Sequence, residues 1–150
     1  MLILDRAYSQ GHHLKAMVAP RLACFFRRSP DKERDILTGN LFKNIPMELP
    51  DELIDILGAG PDVRIERIVS RGHATQEVDW YDQAQDEFVL LVQGCAGLQF
   101  ENSAAVLVLN PGDYLTIGAH VKHRVEWTDA TCETIWLAVH YRTGKQGDRR

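Results

Sequence analysis

Carboxylates and imidazoles gather in two short stretches of this 150-residue sequence. Asp82, Asp86 and Glu87 lie close together after Trp80 and Tyr81, and His120 and His123 follow the turn Pro111-Gly112-Asp113. Such groups exchange protons near neutral pH or bind a divalent cation. His73 and His140 stand further off in the chain as reserve donors.

Positioning these groups falls to strands. Val63, Ile65 and Arg67 alternate with Arg64, Glu66 and Ile68, so a strand is expected over 62–70, ending near Gly72. Further strands are expected over 88–93, 98–101, 105–109, 114–117, 123–128 and 133–141, separated by Gly94-Cys95-Ala96-Gly97 and by the turn Asn110-Pro111-Gly112-Asp113. Residues 73–85 are polar with aromatic insertions and suit a loop over a mouth. Seven or eight short antiparallel strands at intervals of about ten residues indicate an all-β double-sheet barrel or a sandwich. The polar groups at strand ends favour the barrel, because a sandwich core has no use for Glu87 and His123.

Side chains alternate across a strand, so Glu87 shares a face with Val89 and Leu91, and His123 shares one with Val125 and Trp127. Those apolar companions turn both polar groups inward. A buried carboxylate is costly unless it is paired or holds a cation. Two outcomes stay open: a metal site, or a structural acid that accepts from Tyr81 or Arg67 beside a core histidine. Without metal, crowding of Asp82, Asp86 and Glu87 is expected to raise their pKa values.

Upstream, Asp51 to Gly58 reads as two helical turns, with acids in the first turn, Leu53, Ile54 and Leu57 on one face and a glycine stop. Residues 1–35 form an extension without sustained periodicity, expected to be poorly structured, with one short helix around Leu14 to Phe26; His12-His13 there lacks a third ligand. The barrel domain is assigned to 36–144 and a charged tail to 145–150.

The formal charge of -4 is unevenly spread: residues 1–35 hold seven Lys/Arg against four Asp/Glu, which leaves the remainder acidic. An acidic body argues against nucleic-acid binding. No apolar run suits a membrane span. Cys24, Cys95 and Cys132 share no CxxC spacing and read as reduced thiols, so the cytoplasm is the expected compartment. No nucleophile elbow, P-loop or dinucleotide fingerprint is present.

The spacing from Glu87 to Gly94 and from Gly112 to His123 resembles the two cupin motifs, with Gly72 near the opening glycine. Trp80 and Asp82 stand where that family carries His-x-His, while Gly118, His120 and Trp127 replace the Pro, Gly and Asn of the second motif. The resemblance implies a cupin-type jelly-roll barrel. It also implies a divalent metal, here Mn, Fe, Ni or Zn on Glu87, His123 and Asp82, with His73, His120 and His140 in reserve. Trp80, Tyr81 and Trp127 would line the pocket. The function expected is metal binding, with oxygenase or isomerase chemistry on a small polar, anionic substrate; the alternative is a metal-free ligand-binding or sensor module. Homodimerisation through a sheet is a further expectation.

Overall fold

The computed structural model describes residues 36–143, so the N-terminal extension, its helix, His12-His13 and the 145–150 tail lie outside the described residues. Eight strands follow in order: β1 (Leu53–Ala59), β2 (Val63–Ser70), β3 (Asp86–Gln93), β4 (Ala96–Phe100), β5 (Val106–Leu109), β6 (Tyr114–Ile117), β7 (His123–Thr128) and β8 (Thr134–Tyr141). They form two sheets, β1-β2-β8-β3-β6 and β5-β4-β7, and every pairing is antiparallel. Among the described residues no helix is long and apolar enough to cross a membrane.

Alternation decides what lies between the sheets. On one side Ile68, Val89, Leu91, Ile117, Trp136 and Ala138 face inward; on the other Ala96, Leu98, Leu109 and Val125 meet them, all nearly devoid of solvent exposure. Burial of this apolar area is the main stabilising term.

The helix expected over Asp51 to Gly58 is instead the edge strand β1. Two isolated helical turns are marginal in water. As a strand the segment gains a ladder with β2, in which Ile54 opposes Ile68 and Asp55 opposes Arg67. A register shift between Ile56 and Gly58 interrupts the period of two, which is why Leu53, Ile54 and Leu57 mimic helical spacing.

Arg67 lies on the far side of β2 from the core and is nevertheless buried. Its Nε donates to Asp55 Oδ2 at 2.9 Å, and its Nη1 donates to the carbonyls of Leu41 and Lys43 at 2.9 and 2.8 Å. One guanidinium thereby ties the incoming chain to β1 and β2. The partners described for the Arg67 guanidinium are Asp55, Leu41 and Lys43, and Glu87 is not among them.

Turns close as their residue types demand. In Asn110-Pro111-Gly112-Asp113 the glycine has φ 94°, and the Asp113 amide donates to the Asn110 carbonyl at 2.9 Å. Gly112 and Leu91 anchor that turn to β3, with N–H···O distances of 2.8 Å from Gly112 to Leu91 and 2.9 Å from Leu91 to Asp113. Asp86 secures the opposite end: Oδ1 accepts from the Ala119 amide at 3.0 Å, and Oδ2 accepts from the Thr143 hydroxyl at 2.9 Å. Those bonds, the Ala119 amide first, lower the Asp86 pKa below its ordinary value, the reverse of the rise expected from crowded acids.

Two expected outcomes follow from this geometry. Gly94 has φ 84°, and an added Cβ would stand 2.6 Å from Thr134 Oγ1 and 2.7 Å from Thr134 Cα. Gly94→Ala should lower unfolding free energy by roughly 2–4 kcal/mol in denaturant titration, since backbone strain and overpacking coincide. Because the folded-state pKa of Asp86 is depressed, its contribution is present above the unfolded value near 3.8 and is lost as pH falls through the lower folded value. The stability advantage of wild type over Asp86→Asn should therefore be steady at neutral pH and shrink only in acid, as read from melting curves across pH.

Candidate functional site

Glu87 is the second residue of β3 and faces inward with Val89 and Leu91; His123 opens β7 in the other sheet and faces inward with Val125. Their side chains are only 5 % and 6 % exposed, and His123 Nε2 lies 3.6 Å from Glu87 Oε2. The other ring nitrogen, Nδ1, stands 3.0 Å from the Val121 carbonyl. A carbonyl only accepts, so Nδ1 carries hydrogen and Nε2 is the ring nitrogen turned toward the carboxylate.

Glu87 has two more polar neighbours. The Gln83 amide donates to Oε2, and His140 Nε2 lies 3.8 Å from Oε1. His140 itself, 3 % exposed on β8, makes its nearer contact with Glu66 Oε2 at 3.1 Å, and the other Glu66 oxygen lies 2.9 Å from Arg64 Nε. Since a carboxylate accepts, His140 Nε2 carries the hydrogen. Among the described residues the buried His140 Nδ1 has no hydrogen-bond partner, which suits a bare lone pair better than an N–H. A line of groups, His123, Glu87, His140, Glu66 and Arg64, thus crosses the interior.

Above the Glu87–His123 pair opens a narrow pocket with apolar walls that include Ile68, Val89, Leu98 and Trp136. Tyr81 and Glu52 stand at its edge and also border a more polar hollow with Asp51, His73 and Thr75. Tyr81 is fixed there by reciprocal backbone bonds with His123, 2.8 and 3.2 Å long, and the two rings lie 5.6 Å apart. Ser70 Oγ donates to Glu52 Oε1, placing that carboxylate over the end of β2.

Other expected site residues lie elsewhere. Asp82 meets the exposed His120 at 2.9 Å, with 46 % and 70 % of their side chains in solvent, so it does not join Glu87. The loop presents Gln83 rather than Asp82 to the interior, and its Gln83 carbonyl accepts from the His120 amide at 2.7 Å. Trp80 lies under the Arg124 guanidinium, 4.8 Å from its ring centroid, and does not border the pocket. Trp127 points out of the barrel, 37 % exposed. Leu98 pairs with Val125 but Gly97 with Trp127, so Glu126 is an extra residue that inverts the alternation and turns Thr128 inward instead. The indole then lies over Gly97, where a Cβ would stand 2.3 Å from its Nε1.

Of the reserve donors, His73 sits at the mouth, His120 at the surface and His140 against Glu66. Among the described residues, no three His, Cys, Asp or Glu side chains are grouped so as to hold a metal ion. Of the set Glu87, His123 and Asp82, the first two are neighbours and Asp82 stands apart, while the reserve donor His140 lies 3.8 Å from Glu87 Oε1. Three polar participants, Glu52, Glu66 and Gln83, were not expected from the sequence. For Glu66 a signal existed, a charged residue sharing a strand face with Ile68.

No protein-family model and no curated protein matches the sequence. Solved structures do match. A candidate mannose-6-phosphate isomerase from Ralstonia eutropha JMP134 is 46% identical, with a TM-score of 0.68 over 70% of this chain and 97% of that one. A cupin superfamily protein from Desulfitobacterium hafniense DCB-2 is 20% identical, with a TM-score of 0.57 over 80% of this chain and 100% of that one. An RmlC-like cupin with a double-stranded β-helix fold from Methanocaldococcus jannaschii is 15% identical, with a TM-score of 0.52 over 66% and 87% of the two chains. The two facing sheets, the motif spacing and these likenesses together establish that the chain belongs to the cupin superfamily.

Proposed function

We propose that this cupin encloses a small polar molecule and that Glu87 and His123, rather than a resident metal ion, form the polar floor of its pocket. The observation that carries this reading is their 3.6 Å approach from opposite sheets beneath an apolar-walled pocket. A few convergent polar groups in an apolar cup are the usual make-up of a ligand site. The same pair can take a proton from a bound hydroxyl or ammonium group and return it, as isomerase-type chemistry requires. The Ralstonia relative's name supports that direction. Metal binding through Glu87 and His123, expected from the resemblance, is the competing reading.

Metal analysis and thermal-shift screening with and without chelator separate them. The proposal expects no stoichiometric Mn, Fe, Ni or Zn, a melting temperature indifferent to chelator, and ligand hits lost in Glu87→Gln and His123→Asn. A ligand at 100 times its Kd should add about 2.7 kcal/mol of stability. Stoichiometric metal in wild type that disappears in Glu87→Gln would establish the metal site instead.

The pair should also be visible in stability. Glu87→Leu or His123→Leu alone strands a buried polar partner and should destabilise by roughly 3–5 kcal/mol, whereas the double substitution should cost clearly less than the sum. Strict additivity in a denaturation cycle would show that the two groups do not act together.

A further inference from the structure

We propose that the ligand of this cup is a small organic cation, such as a protonated primary amine; the inference rests on the reading of the pocket as a ligand site. Among the described residues no lysine or arginine borders the pocket or the hollow at its mouth, while Asp51, Glu52 and Glu87 do. The nearby guanidiniums are committed elsewhere: Arg67 to Asp55, Arg71 to Glu133 and the Met47 carbonyl, and Arg124 to Glu126 and Gln99.

The two pocket histidines are already engaged: His73 Nδ1 accepts the Arg71 backbone N–H at 2.9 Å, and His123 stands 3.6 Å from Glu87. Glu52 is different: it is half-buried and accepts the Ser70 hydroxyl, but among the described residues no Lys, Arg or His side chain forms an ion pair with it. A carboxylate beside apolar walls and without a counter-charge is a site that an entering cation would satisfy. An anionic ligand, including a phosphate ester, would face Glu52 and Asp51 with no lysine or arginine lining the pocket among the described residues. This departs from the anionic substrate expected from the sequence, and it separates the cup from the phosphate implied by the Ralstonia relative's name.

Calorimetric titration of the full chain with four matched probes, butylammonium, butanol, butyrate and butyl phosphate, tests this at neutral pH and low salt. Butylammonium should bind about tenfold or more tightly than butanol, and the anions should not bind, in keeping with charge pairing in a partly dry site. Glu52→Gln, which keeps the Ser70 contact, should remove about tenfold of the ammonium affinity and leave butanol unchanged. Butyrate, butyl phosphate or butanol binding as tightly as butylammonium, with the binding lost in Glu87→Gln, would overturn the cation inference and leave the cup as a ligand site. Heat from none of the four probes, or binding unaffected by Glu87→Gln and His123→Asn, would overturn both.

Discussion

Glu87 is a carboxylate removed from water, and the interior of the barrel is arranged around making that tolerable. The desolvation penalty of a buried ion is several kcal/mol even after relaxation, so its neighbours must supply the lost solvation. The Gln83 amide from the loop before β3 donates to Glu87, and His123 of β7 and His140 of β8 stand 3.6 and 3.8 Å from its oxygens. Loop, sheet and facing sheet therefore all have a stake in one carboxyl group.

The frame that holds these donors is set by register. In the larger sheet Glu87 pairs with His140 on one side and Ile117 on the other, and Glu66 lies one strand beyond in the next ladder. His123 is brought opposite by backbone bonds to Tyr81, which make the 73–85 loop part of the pocket wall. Arg67 works on the reverse side of the sheet, joining the chain at Leu41 and Lys43 to Asp55 and so fixing β1, whose leading end carries Glu52 to the mouth. Sheet register thus determines which charges see the pocket, and the Arg67 clamp determines that β1 stays beside it.

Much of this was legible in residue order. Alternation placed Glu87 and His123 inside because their strand companions Val89, Leu91 and Val125 are apolar, and the structure has them there. What failed was inference across breaks in alternation. The bulge at Glu126 sent Trp127 outward, and the shift at Ile56 to Gly58 disguised β1 as a helix. Spacing also placed Asp82 in the cup, but spacing fixes direction only within a regular element. Asp82 belongs to a loop, where the docking of His120 on the Gln83 carbonyl turned its side chain to solvent. Gln83 and Glu52 were invisible for a related reason: nothing local says that a loop amide or the acid preceding an edge strand will meet a pocket from another part of the chain.

Within one fold, then, a small change in a loop alters what the cup can hold. A cation on Glu87 would compete with the Gln83 amide for Oε2, and recruiting His140 as a further ligand would draw its Nε2 from Glu66. Each exchange removes a hydrogen bond already made in a dry interior, where an abandoned acceptor is expensive. On the proposed reading, the Gln83 amide and the two imidazoles gather around Glu87 at the floor, and the charge that selects a ligand is that of Glu52 and Asp51 at the rim.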